Sequence, residues 1–260
     1  MPRPNWYMFV PMLLASASAY AGESCSAQSG GNIVPLVELY TAEGCNDCPP
    51  ADRWLSKLSR SIQPDRATML AFHVDYWDSI GWTDHFASPL NGKRQEMRVR
   101  LANKKVIVTP QVMIGKDVMV NWRTPSQPES VMAKARSRSA SMNLVLKFTG
   151  QGVNLQVQRG SGEAKDVDPV LVWLALYQDG LTSEVSAGEN KGVTLHHDHV
   201  VRALVGPWKM DGEALAKQVQ MQLPVEAKQE QLGLVLFVES GKTGEGLQSL
   251  ALPLSSCPRL

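Results

Sequence analysis

Cys45-Asn46-Asp47-Cys48 is the segment of this 260-residue chain with the clearest capacity for chemistry. Two cysteines separated by two residues can close a small disulfide ring and reopen it. The first thiolate attacks a partner's sulfur and the second resolves the mixed disulfide. The remaining cysteines, Cys25 and Cys257, stand near the two ends of the chain. Four cysteines permit three pairings. Cys45 and Cys48 are natural partners, which leaves Cys25 and Cys257 for a structural disulfide, since chain ends often lie close together in compact proteins. A zinc site at Cys45 and Cys48 would need further Cys or His ligands at suitable spacing, and the sequence has no second Cys pair.

A redox cysteine works best at the start of a helix, where free N–H groups and the helix dipole favour thiolate. The elements around the pair supply that setting. Val37-Glu38-Leu39-Tyr40 reads as a strand, and Ala51, Leu55, Leu58 and Ile62 fall on one face of a following helix. Glu43 and Asp47 place negative charge beside the sulfurs, which disfavours thiolate. Pro49 and Pro50 start the regular helix at Cys48-Pro49, so Cys45 lies slightly off its axis. These features predict a less acidic nucleophile than that of a strongly oxidising enzyme, suited to reductase or isomerase work.

Other residues join the candidate site from a distance. Thr109-Pro110 follows what reads as a short strand, Val106 to Val108, and is expected to form a cis peptide facing the disulfide. There Thr109 and Pro110 would hold a client backbone as an added strand. Met69 to Val74 reads as a second strand, whose end would bring Asp75, Trp77 and Asp78 toward Cys45. Asp75 is the candidate general base for the resolving thiol, and Trp77 and Trp82, with Phe86, offer apolar surface to a client. The competing reading makes His73 a hydrogen-bonded core residue and the tryptophans packing. His196, His197 and His199 form a cluster in which strand alternation would put His197 and His199 on one face. Without a defined fourth ligand they read as exposed strand residues. Lys93, Arg94, Arg98, Arg100, Lys104 and Lys105 read as the solvated face of a helix that opens at Ser88-Pro89.

The wider composition is that of a globular chain, 43% hydrophobic and 20% charged, with a net charge of +1. That balance points away from nucleic acid. Arg3, the apolar stretch Met8 to Ala19 and Ala19-Tyr20-Ala21 read as a signal peptide over residues 1–21, cleaved near Ala21. The expectation is therefore a periplasmic or secreted protein without stable membrane insertion. Residues 22–140 alternate apolar runs with helical segments, including one over Ser126 to Ser137, as in an α/β layer fold. Residues 141–260 read as β-rich and sandwich-like, with strands near 144–148, 153–157, 170–177, 194–205, 232–238 and 247–252. No glycine-rich loop cradles a phosphate in a fitting context, so no organic cofactor is expected.

The segments VELYTAEGCNDCPPAD, FHVDYWDSIGWTDHFAS, VTPQVMIG and GENKGVTLHHDHVVR resemble the secreted thioredoxin-like family called domain of unknown function 1223. The resemblance covers nearly all of the mature chain. It implies a thioredoxin-like N-terminal domain and a family-specific β-rich extension, and it brings no established substrate. Asn46-Asp47 stands where Gly-Pro is usual in thioredoxins, and no tryptophan immediately precedes Cys45. The function expected from the sulfur chemistry is thiol–disulfide exchange on protein thiols or disulfides. The alternative is a protein that binds or delivers copper or zinc through the Cys pair and nearby histidines.

Overall fold

The structure, a computed structural model, describes residues 25–150, 152–160 and 169–258; the expected signal peptide lies outside them. The strands run in chain order as β1 (Cys25–Gln28), β2 (Leu36–Thr41), β3 (Thr68–His73), β4 (Gln111–Ile114), β5 (Asp117–Val118), β6 (Met142–Phe148) and β7 (Val153–Arg159). They continue as β8 (Val170–Gln178), β9 (Leu181–Glu184), β10 (Thr194–His197), β11 (Val200–Met210), β12 (Ala214–Val219), β13 (Leu232–Ser240) and β14 (Gly246–Pro253). The helices are α1 (Pro49–Ser61), α2 (Pro89–Leu101) and α3 (Ser126–Arg136). No helix among the described residues is long and apolar enough to cross a membrane.

Three sheets organise these strands. One is four-stranded, β1-β6-β7-β12; one is the β9–β10 pair; the third is eight-stranded, β14-β13-β8-β11-β3-β2-β4-β5. In β6, buried and more exposed positions alternate, as expected for a strand with one face on a core. Strand β13 is buried throughout, as befits an inner strand covered on both faces.

The expected fold class, an α/β thioredoxin-like N-terminal domain followed by a β-rich domain, does not hold. The protein is mostly β, with large mixed sheets and few helices. The physical reason is strand pairing. The outer edge of β3 is taken by β11, parallel to it, with Val200 opposite Ala71 and the Ala71 N–H donating to the His199 carbonyl at 2.8 Å. Strands from early and late in the sequence thereby form one sheet.

That sheet is rolled. Glu38 on β2 and Glu239 on β13 are four strands apart in sheet order, roughly 19 Å in a flat sheet. Yet Arg94 of α2 binds both, at 2.8 Å to Glu38 and 3.0 Å to Glu239. Thr68 on β3 likewise meets Ser249 on β14 at 2.7 Å. The concave face holds a core of Tyr40, Leu70, Phe72, Trp173, Tyr177 and Phe237, and Cys45 and Cys48 belong to it. The opposite face of β2, β3 and β4 packs Val37, Leu39, Met69 and Ile114 under Ala51 and Leu55 of α1 and Met132 of α3. A third core fills the space between the four-stranded sheet and β8, β13 and β14.

Two local readings are corrected here. Arg94 and Arg98 are each 2% exposed and are held by Glu38 and Glu239, so this part of α2 is not a solvated basic face. The charges that bury them lie 56 or more residues away in sequence, out of reach of any local pattern. Val106, Ile107 and Val108 form no strand and stay exposed.

Candidate functional site

The cysteine loop is built at the end of β2. Thr41 ends the strand, the Cys45 N–H donates to the Ala42 carbonyl at 3.2 Å, and the Cys48 N–H donates to the Cys45 carbonyl at 3.2 Å. Cys48 is the N-cap of α1, its carbonyl accepting from Ala51 at 2.8 Å and Asp52 at 3.1 Å, and proline at the first helical position suits that turn. Cys45 and Cys48 are joined in a disulfide, with Cα atoms 5.4 Å apart. Cys25 and Cys257 form a second, at 5.2 Å.

Thr109-Pro110 is a cis peptide, and the Thr109 carbonyl oxygen lies 3.6 Å from the Cys45 sulfur. Tyr76 shares a hydrogen bond with the Thr109 hydroxyl and donates to Gln95 Oε1 at 3.0 Å. Gln95 in turn donates to the Val108 carbonyl at 2.8 Å, so α2 fixes the backbone leading into Pro110. Trp77 packs on Gly44, where an added Cβ would touch the Trp77 backbone at 3.5 Å. Trp82 Nε1 donates to Glu43 Oε2 at 2.7 Å. Asp75 lies against the α2 backbone at Gly92.

The acidic groups that surround the cysteine loop are others: Glu43, Asp52 and Asp84, together with two histidines. His73 Nδ1 and Asp84 Oδ2 are 2.7 Å apart, and both side chains are essentially fully buried. Asp84 also accepts the Glu43 N–H at 3.0 Å. His197 Nε2 stands 3.3 Å from Glu43, and its Nδ1 stands 3.8 Å from Asp52. Burial would lower the His73 pKa, but Asp84 outweighs it and raises it above the ordinary value. Burial would raise Asp84, and His73 with two backbone donors pulls it below the carboxylate range. Glu43 follows the same logic, lowered against its burial by His197, Ser183 and Trp82. Asp52, one turn into α1, is raised because burial prevails there.

Several of these roles were not visible beforehand. His197 and His199 do not share a face. His199 adopts a positive φ of 58° just after β10, which turns it toward Tyr177 and Asp179 while His197 points into the cysteine cluster. His196 remains exposed. Among the described residues no group of three or more His, Cys, Asp or Glu side chains is arranged to hold a metal ion. Asn190, from the loop between β9 and β10, donates to the carbonyls of Glu43 at 2.7 Å and Cys45 at 2.9 Å. Its only sequence signal is its place in the GENKGVTLHHDHVVR segment.

Comparison with known sequences then decides the kinship. The profile of the family described as "Protein of unknown function (DUF1223)" matches residues 36–239. The chain belongs to the DUF1223 family. The matched span of this DUF1223 protein contains the cysteine loop, the cis peptide and the β9–β10 hairpin together. No curated protein matches it. Among solved structures it is similar to protein AGR_C_4864 from Agrobacterium tumefaciens. That match has 25% identity and a TM-score of 0.67 and covers 89% of this chain and 99% of the other. HBP35 of Porphyromonas gingivalis shares the fold at a TM-score of 0.59 with 11% identity, covering 88% of this chain and 77% of that one.

Proposed function

We propose that this DUF1223 protein is a thiol–disulfide oxidoreductase, a reductase or isomerase acting on protein clients outside the cytoplasm. The observation that carries the reading is the Cys45–Cys48 disulfide at the start of α1, set against the carbonyl of Thr109 next to a cis proline. In the reducing direction the Cys45 thiolate attacks one sulfur of a client disulfide. The client S–S bond breaks and its other sulfur leaves as thiolate. Cys48 thiolate then attacks Cys45, the mixed disulfide breaks, and the second client thiolate departs. Two electrons pass from the cysteine pair to the client, and a low-molecular-weight or protein dithiol of the compartment returns them. Thr109 and Pro110 hold the client backbone, and Trp77 and Trp82 face its side chains. Asp75 stands as the sequence-based candidate for the proton-accepting group, with Asp52 the carboxylate one helical turn from Cys48. A second disulfide between Cys25 and Cys257 suits an oxidising compartment.

Insulin reduction by the full chain tests the proposal. Cys45→Ser should abolish turnover, and Cys48→Ser should accumulate a client disulfide on Cys45. Turnover undiminished in Cys45→Ser would overturn it.

A further inference from the structure

Cys45 is 1% exposed and Cys48 is fully buried, so no client sulfur reaches them in the arrangement seen. Part of what surrounds them arrives from the other end of the sequence. The β9–β10 hairpin lies on α1, and its connecting loop folds back on itself. The loop is held by hydrogen bonds from Val185 to the Val193 carbonyl at 3.0 Å and from Gly192 to the Val185 carbonyl at 2.7 Å. Its backbone comes so close to the cysteine loop that a Cβ on Gly188 would lie 4.0 Å from the Cα of Gly44 and 3.2 Å from the Cβ of Trp82. Gly188 also has a φ of +72°, so glycine is suited there on both counts.

Three side chains of this hairpin engage the cysteine loop. Asn190, 6% exposed, spends its amide N–H groups on the two carbonyls that flank Gly44. Glu189 accepts the Asn46 N–H at 3.1 Å. His197 sits on the Glu43 carboxylate. Together they fix the backbone on both sides of Cys45.

We infer that the β9–β10 loop is a strap that holds the Cys45–Cys48 disulfide in its buried arrangement, and that Asn190 is the positioning residue that fastens it. The inference rests on the proposed function only for its effect on turnover. The accessibility of the disulfide is a separate quantity.

The test is the rate at which a phosphine reductant opens each disulfide of the folded full-length chain, followed by mass-resolved alkylation. The Cys25–Cys257 bond of the same molecule reports any global loosening. In Asn190→Ala the Cys45–Cys48 bond should open about thirtyfold faster, the equivalent of two ordinary hydrogen bonds, with the Cys25–Cys257 rate unchanged. Glu189→Ala, at a more exposed residue, should give a smaller acceleration of the same bond alone. It decides the question where Asn190→Ala fails to fold. Equal rates in variant and wild type, or both disulfides accelerating together, would overturn the strap. Wild type inactive on insulin but with an Asn190-dependent opening rate would overturn the proposed oxidoreductase and leave the strap standing.

Discussion

Arg94 and Glu239, 145 residues apart in sequence, form a buried bidentate ion pair at 3.0 and 3.1 Å. Arg94 also binds Glu38 and lies over the rings of Trp173 and Phe237 at 4.9 and 4.8 Å. Its pKa is driven further up by these carboxylates despite its burial. Removing Arg94 leaves Arg98 as the single buried cation shared by two carboxylates, Glu38 at 3.0 Å and Glu239 at 3.1 Å, and one negative charge in the concave core is then uncompensated. Arg94→Met should cost about 3–5 kcal/mol, and Arg94→Lys should recover little of it because one ammonium cannot reproduce the fork. Urea unfolding measures both; a loss below about 1 kcal/mol for Arg94→Met would show that the pair does not hold the roll of the sheet.

The His73–Asp84 pair makes stability depend on pH. Folding raises His73 above its ordinary 6.5, so its contribution is fully present below that value and fades as pH climbs through the folded pKa. Folding lowers Asp84 below its ordinary 3.8, so its contribution is present above that value and fades as pH falls through the folded pKa. The pair therefore supports the fold most between roughly pH 4 and 6.5. His73→Gln should lose about 1.5–3 kcal/mol in that window, and the gap to wild type should narrow as pH climbs through the raised folded pKa of His73. Thermal unfolding across the range checks this; a gap that widens with pH contradicts it.

Gly233 on β13 sits directly opposite Tyr177 on β8, and the tyrosine ring occupies the space where a Cβ would be. Gly233→Ala should destabilise by about 1–3 kcal/mol through overpacking. In a Tyr177→Ala background the same substitution should be close to neutral. A double-mutant cycle on urea midpoints reads the coupling directly, and additive losses would refute the contact.

Cys25→Ser with Cys257→Ser opens a loop spanning 232 positions. Stability should fall by about 2–5 kcal/mol. Insulin reduction at a temperature where the variant stays folded should be unchanged, since the bond is partly buried against the core between the sheets and away from the concave face with Cys45. Lost turnover in a folded variant would place this bond in the chemistry.

Much of the first third of the fold is local in origin and was readable. The strand over Leu36–Thr41, the helix after Pro49 and the Ser88 cap, whose hydroxyl accepts from Leu90 at 3.3 Å, follow from periodicity and capping chemistry. The Cys45–Cys48 and Cys25–Cys257 bonds follow from counting and spacing. What could not be read is long-range. A buried strand edge carries no mark of its partner, so the pairing of β11 with β3, which overturned the α/β expectation, was invisible. Charges on α2 look solvated until Glu38 and Glu239 are brought to them. Alternation around His197 and His199 failed because β10 ends at His197 and His199 itself has a positive φ. Asn190 makes two buried hydrogen bonds with a side chain that is as ordinary in a turn as anywhere on a surface.

The strap also has a place in time. Cys45 is made 145 residues before Asn190, so the Cys-x-x-Cys segment exists well before the loop that lies over it. During that interval the two sulfurs belong to a chain that lacks the hairpin's hydrogen bonds to Glu43, Cys45 and Asn46. In the proposed arrangement, completion of the hairpin near residue 197 is the event that brings the strap over the two sulfurs.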